Sequence, residues 1–217
     1  MDMQEALDRL NSLLPLAASQ HRLAAPLREL HRKILLGFAG RGRPLSREEM
    51  AEHLGDIPVD TALQQLATDD LVVLSPDGSE VTGAYPFTMD ERVHTVLING
   101  QLLHAMCALD ALSVGPMFNA ATTVNSRCHV SDAPVEVRMQ GGAVVSASPE
   151  QPWLGIRWQG TSGCAARSLC LDMVFLRDSK TAEGWQRQDR DNISILDLPS
   201  AVGMGTAFFC PLLEGGG

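Results

Sequence analysis

The sequence predicts an α+β protein: an N-terminal winged-helix-like helical domain over residues 1–84, then a small, mainly antiparallel sheet domain with flanking helices over residues 85–217. Three observations carry this. Apolar residues recur at helical spacing up to about Asp69. A hydrophobic run, a Ser-Pro-Asp-Gly turn and a second run then read as a hairpin. From about Tyr85 short alternating segments take over, separated by Gly, Pro, Ser and Asp clusters, as short strands require.

In order, Leu7, Leu10 and Leu14 mark one amphipathic helix, and Leu27, Leu30, Ile34 and Phe38 a second, with Pro26 suited to a first turn. After the break at 40–44, Ser46 and Glu49 have capping-box spacing and open a helix through about Leu54. Leu63, Leu66 and Ala67 mark the inner face of a fourth helix. Residues 71–74, the turn 75–78 and a return strand through Val81 complete a winged-helix pattern. Val93–Ile98 alternates as a strand, and Asn99-Gly100 leads into an apolar helical stretch, 101–113, stopped by Gly115-Pro116. Strands are expected at 121–127, 135–139, 143–147, 154–158 and 168–176. A capped helix starts near Thr181, a last helix or loop-helix spans 198–213, and Gly215–Gly217 fray.

A chain of 217 residues with 45% hydrophobic content can bury a sizeable core. Its net charge of −9 and pI near 5.0 argue against a grip on nucleic acid, which needs Lys and Arg to displace counterions. The would-be recognition helix, 58–70, holds three acids and no base, so it would repel DNA. No signal-peptide pattern opens the chain and no uncharged apolar run approaches the roughly 18–20 residues of a membrane helix. A cytoplasmic enzyme or binding protein is expected.

Chemistry is expected from the cysteines. Cys107, Cys128, Cys164, Cys170 and Cys210 are an odd set without framework spacing, which in a reducing compartment favours free thiols or metal ligands over disulfides. Taken singly, Cys128, Cys164 and Cys210 read as buried small hydrophobes. Cys107 differs, because Asp110 lies three residues on, on the same face of an apolar helix. Desolvating an acid raises its pKa unless it is partnered. A thiolate near a helix start is a nucleophile and a soft-metal ligand, and a carboxyl beside it can give or take a proton. That pairing suits cleavage of a bond between a soft metal and carbon. In a strand over 168–176, Cys170 would face away from the most apolar side, and Cys164 would share its face unless Gly163 breaks the strand. His94, His104 and His129 belong to no zinc-hydrolase signature and read as surface or satisfied core residues. There is no serine-hydrolase elbow and no phosphate-binding glycine loop.

These residues resemble the organomercurial (alkylmercury) lyases. The matching blocks are Leu103 to Leu112 with its Cys-Ala-Leu-Asp core, Ser126-Arg127-Cys128 with Ala133-Pro134-Val135, Ser168-Leu169-Cys170, Thr181 to Trp185, and Gly203-Met204-Gly205. Upstream, Gly42 to Ser46 resembles the start of the family's N-terminal helical region, so the resemblance spans about residues 40–213. It implies that Cys107 and Cys170 bind mercury, that Asp110 handles the proton delivered to carbon, and that Cys128 is structural. It implies no cofactor: the substrate is an organomercurial thiolate, excess small thiol sustains turnover, and small thiols or a mercuric reductase remove the mercuric ion. Leu171 stands where some members carry a second cysteine, and Cys164 and Cys210 match no family cysteine. Two other readings follow from the residues: a non-catalytic protein that binds or delivers mercury or copper, and a winged-helix regulator whose C-terminal half senses a ligand.

Overall fold

The structure is a computed structural model that describes residues 2–158 and 164–214. The Gly163 break and the Gly215–Gly217 tail lie outside the described residues. Asp2 caps α1 (Met3–Leu13) in a capping box with Glu5. Helix α2 (Leu16–Arg22) follows, then α3 (Ala25–Arg41), which has Pro26 in its first turn and ends at Gly42 with φ 74°. The Ser46–Glu49 capping box forms and opens α4 (Arg47–Leu54), and α5 (Val59–Thr68) buries Leu63 and Leu66. Strands β1 (Val73–Leu74) and β2 (Val81–Ala84) pair antiparallel as the wing. The wing is not isolated: β2 pairs with β3 (Phe87–Thr88), and β3 pairs with the main sheet, so residue 85 falls between two neighbouring strands of one sheet.

Residues 101–113 are not one helix. Strands β4 (Thr95–Ile98) and β5 (Gln101–Ala105) form a hairpin about Asn99 and Gly100, at φ 50° and 78°. Asn-Gly with both residues at positive φ is a strong two-residue hairpin signal, and the ladder it sets up outweighs the helix-forming composition of Gln-Leu-Leu-His-Ala. Helix α6 therefore spans Ala108–Phe118, with Cys107 as its N-cap. It also outruns Pro116, because Asn119, at φ 47°, donates its N–H to the Gly115 and Pro116 carbonyls and closes the last turn.

Strands β6 (Ala121–Arg127), β7 (Pro134–Gln140) and β8 (Ala143–Ser148) complete an eight-stranded sheet of order β1-β2-β3-β5-β4-β6-β7-β8. All of its ladders are antiparallel. Strand β9 (Trp153–Arg157) lies between β10 (Met173–Leu176) and, beyond α7 (Ser179–Gln186), β11 (Ile193–Asp197) in a second, three-stranded sheet. Residues 168–176 are not one strand. Only Met173–Leu176 are strand, while Ala165–Arg167 and Leu169–Asp172 form short 3₁₀ turns, so Cys170 sits in a turn and the face assigned to it from strand alternation does not apply. The turn is held by contacts remote in sequence, described below, which a local pattern cannot report.

Helix α8 (Leu198–Phe209), capped by the Asp197 carboxylate, packs on α6, and α1 packs on α8. Gly205 permits the close approach: a Cβ there would lie 3.3 Å from Ser113 Cβ. On α6, Leu109, Leu112 and Val114 are fully buried. At about 1.5–3 kcal/mol for each such side chain, this packing fixes the helix and so the position of its first turn.

Candidate active site

Cys107 leads into α6 from an extended conformation (φ −152°, ψ 179°), and its Sγ accepts the Asp110 backbone N–H at 3.3 Å, as an N-cap oxygen would. The three-residue spacing thus acts as an N-cap to N3 relation rather than as two neighbours along a helix face. Two effects oppose each other at this thiol. The helix N-terminus favours thiolate by about 0.3–2 kcal/mol, whereas burying an unpaired charge costs several. Burial wins: it pushes the Cys107 thiol well above its usual range, and the nearby Asp110 and Cys170 push it further. The Cys107 thiol donates to Met173 Sδ at 3.7 Å, which puts a second soft sulfur beside it.

Asp110 is 1% exposed, and neither carboxylate oxygen has a hydrogen-bond partner at ordinary geometry. Burial raises its pKa to about 7, against the opposing pull of the Cys107 thiol and backbone N–H. A carboxyl near pH 7 can both accept and deliver a proton under ordinary conditions. Cys170, 4% exposed, completes the group: ligand atoms of Cys107, Asp110 and Cys170 all lie within 4.8 Å of one another. The adjacent Cys107 thiol favours the Cys170 thiolate, but burial and the negative charge of Asp110 outweigh it and the pKa is raised.

Two groups from the N-terminal half hold the turns that carry Cys170. Asp70, at φ 55° beyond α5, accepts the Ala165 N–H on Oδ2 at 3.0 Å. Its Oδ1 accepts the Tyr85 hydroxyl at 3.3 Å, and the Tyr85 oxygen in turn accepts the Ala166 N–H at 2.8 Å. Sequence reasoning missed this clamp and Met173. Nothing local ties Asp70 and Tyr85 to residues 80 to 95 positions downstream.

Cys170 also lines a pocket of about 460 Å³, whose walls include Arg92, His94, Met106, Arg127, Cys128 and Leu171. Cys107 and Asp110 are not on its surface, so a molecule in the pocket meets Cys170 with the other two groups behind it. His94 is a satisfied core histidine: burial lowers its pKa to about 4, and Nδ1 lies 2.8 Å from Ser126 Oγ.

The other cysteines lie apart from the cluster. Cys128 follows β6 and forms a parallel backbone bridge to Phe175 of β10; against its burial, hydrogen bonds from Ser131, Val130 and Arg177 lower its pKa. Cys164 Sγ lies 3.8 Å from the Tyr85 hydroxyl, and burial together with Asp70 raises its pKa. Cys210 follows α8, where burial raises its pKa. All five cysteines are free thiols. Among the described residues no helix is long and apolar enough to cross a membrane.

Two thiols and a carboxyl without hydrogen-bond partners converge in an α+β fold, and one of the thiols lines a pocket; the donor set suits a soft metal, with a carboxyl able to move a proton beside it. Residues 87–210 match the family model for alkylmercury lyase. The chain belongs to the alkylmercury lyase family. It is 26% identical over 171 residues to the alkylmercury lyase of Staphylococcus epidermidis, covering 79% of this chain and 77% of that one. It is 24% identical over 181 residues to that of Streptomyces lividans, covering 83% and 82%. A crystal structure of the mercury-bound form of MerB2 superposes with a TM-score of 0.77 at 18% identity, covering 95% of this chain and 100% of that one; at that identity the likeness establishes the fold.

Proposed function

We propose that this protein is an organomercurial lyase that cleaves the carbon–mercury bond of alkyl- or arylmercury compounds, with Cys107 and Cys170 as mercury ligands and Asp110 as proton carrier. The observation that carries this reading is the buried Asp110 carboxyl, both oxygens unpartnered, within 4.8 Å of two thiol sulfurs. Binding alone would need only the sulfurs. Burying an acid without hydrogen-bond partners costs stability that mercury binding does not require, which points to a chemical role for the carboxyl.

The substrate arrives as an organomercury thiolate, R–Hg–S–R′. Cys170, which lines the pocket, displaces the carrier thiol, which leaves with the proton given up by the Cys170 thiol. Cys107 then adds its sulfur to the mercury, and its proton passes to Asp110. Asp110 delivers that proton to the carbon as the carbon–mercury bond breaks. Two thiol protons are consumed, one on R′–SH and one on R–H, and the mercuric ion remains on the paired sulfurs until small thiols or a mercuric reductase take it. Cys128 ties β6 to β10 and is structural in this scheme. The free thiols fit a reducing, cytoplasmic setting.

The test is gas chromatography of purified protein with phenylmercury and excess small thiol. Benzene release, with one mercuric ion retained per chain once thiol is withdrawn, is expected. Tight mercury binding without benzene would instead make the protein a metal store.

A further inference from the structure

The pocket that exposes Cys170 contains two arginines, and they are differently committed. Arg127 is held by Asp132 through two hydrogen bonds, Nε to Oδ1 at 2.6 Å and Nη2 to Oδ2 at 2.9 Å. Arg92 is not held in this way. Its Nε is buried without a hydrogen-bond partner, and its one ion pair among the described residues is a long contact of 3.7 Å from Nη2 to Asp90. Its backbone is anchored at His104, whose Nδ1 lies 3.0 Å from the Arg92 amide nitrogen and 3.0 Å from the Arg92 carbonyl oxygen, so one of the two is hydrogen-bonded in either tautomer. Its charge reaches Cys170, where it favours the thiolate. His94, which feels the Arg92 charge, is buried and neutral at pH 7, and Glu91, also in the pocket lining, is exposed. A guanidinium that is partly exposed, held by no short ion pair and in one pocket with the sulfur that meets the substrate can offer its terminal Nη donors to a carboxylate in charge-assisted hydrogen bonds.

We propose that Arg92 binds the carboxylate of the small thiol that carries the organomercurial to Cys170, which makes complexes of carboxylate-bearing thiols the preferred substrate class. This rests on the lyase reading above. The exchange itself conserves charge and atoms: the mercury–sulfur bond of the carrier breaks, the mercury–Cys170 bond forms, and the carrier leaves as a free thiol while Arg92 releases its carboxylate.

The experiment is single-turnover benzene release from phenylmercury presented as its complex with 3-mercaptopropionate, 2-mercaptoethanol or cysteamine, each the sole thiol present. The wild type is expected to prefer the carboxylate complex over the neutral one by about tenfold in kcat/KM, the scale of one charge-assisted contact in a partly exposed site, with the cationic complex slowest. The preference should shrink as salt is raised. In Arg92→Gln the ratio should fall to about one, and Arg92→Lys should retain a few-fold preference. Equal rates for the three complexes in the wild type, or an unchanged ratio in Arg92→Gln, overturn the proposal. Absence of benzene from all three overturns the lyase reading instead.

Discussion

Replacing Asp110 with Asn should change how stability depends on pH, and the size of the change follows from the site. The unfolded carboxyl ionises near its ordinary value of 3.8, whereas in the fold burial delays ionisation to about 7. Between these values the unfolded chain has lost its proton and the folded one has kept it, so stability falls as pH rises from about 4 to about 7 and levels off above. A shift of about three units is worth about 4 kcal/mol, at about 1.4 kcal/mol per unit. No discount for solvent applies, since the group is fully buried. An Asn side chain adds a cost of its own for an unsatisfied amide, but that cost does not change with pH. The stability difference between Asp110→Asn and wild type should therefore grow in the variant's favour by about 4 kcal/mol between pH 4 and pH 7.5. In a chain of this size that is roughly 8–16 °C in Tm. Urea or thermal melts of the fully reduced proteins across that range measure it. Parallel stability–pH curves for the two proteins would refute the raised carboxyl and the proton-carrier role built on it.

Native-state alkylation with iodoacetamide should modify Cys170, which lines the pocket, well before Cys107, which lies behind it; peptide mass spectrometry reads the order, and faster loss of Cys107 would reverse the assigned geometry. Tyr85→Phe removes the oxygen that bonds both Ala166 N–H and Asp70, so stability should fall by about 1–3 kcal/mol, and mercury should be lost faster to a competing thiol, because the Cys170 turn loses an anchor. Unchanged mercury retention would confine Tyr85 to a purely structural role. Cys107→Ser and Cys170→Ser should each abolish benzene release while leaving far-ultraviolet circular dichroism unchanged, and turnover in either single variant would remove that sulfur from the scheme.

What could be read from the sequence follows the range of the forces involved. The Ser46–Glu49 box, the Asp-Gly wing turn and the alternation in β6 and β7 are local patterns, and each forms where its residues place it. The proximity of Cys107 and Asp110 was also legible, although the spacing reports a helix cap rather than a shared face. Gln101–Ala105 misleads because its composition is helical while its structure is dictated by the Asn-Gly turn and by pairing on both sides. The turn at Cys170 was illegible for a related reason. Its anchors, Asp70 and Tyr85, come from another part of the chain, and Ser-Leu-Cys-Leu-Asp alternates well enough to pass for strand. Cys170 entered the candidate site through resemblance to a family, since no spacing rule joins a strand-like segment to a helix start 63 residues away. Arg92 and Met173 carry no sequence signal at all, and they become visible only when the pocket and the sulfur cluster are assembled.

The central claim is that two sulfurs and one carboxyl act together on a carbon–mercury bond. Single-turnover benzene release from phenylmercury, compared in wild type, Asp110→Asn and the Cys107→Ser, Cys170→Ser double variant, tests it most directly. The account predicts release by the wild type, mercury capture with release slowed at least a hundredfold in Asp110→Asn, and neither capture at the site nor release in the double variant. Full release by the double variant would contradict it.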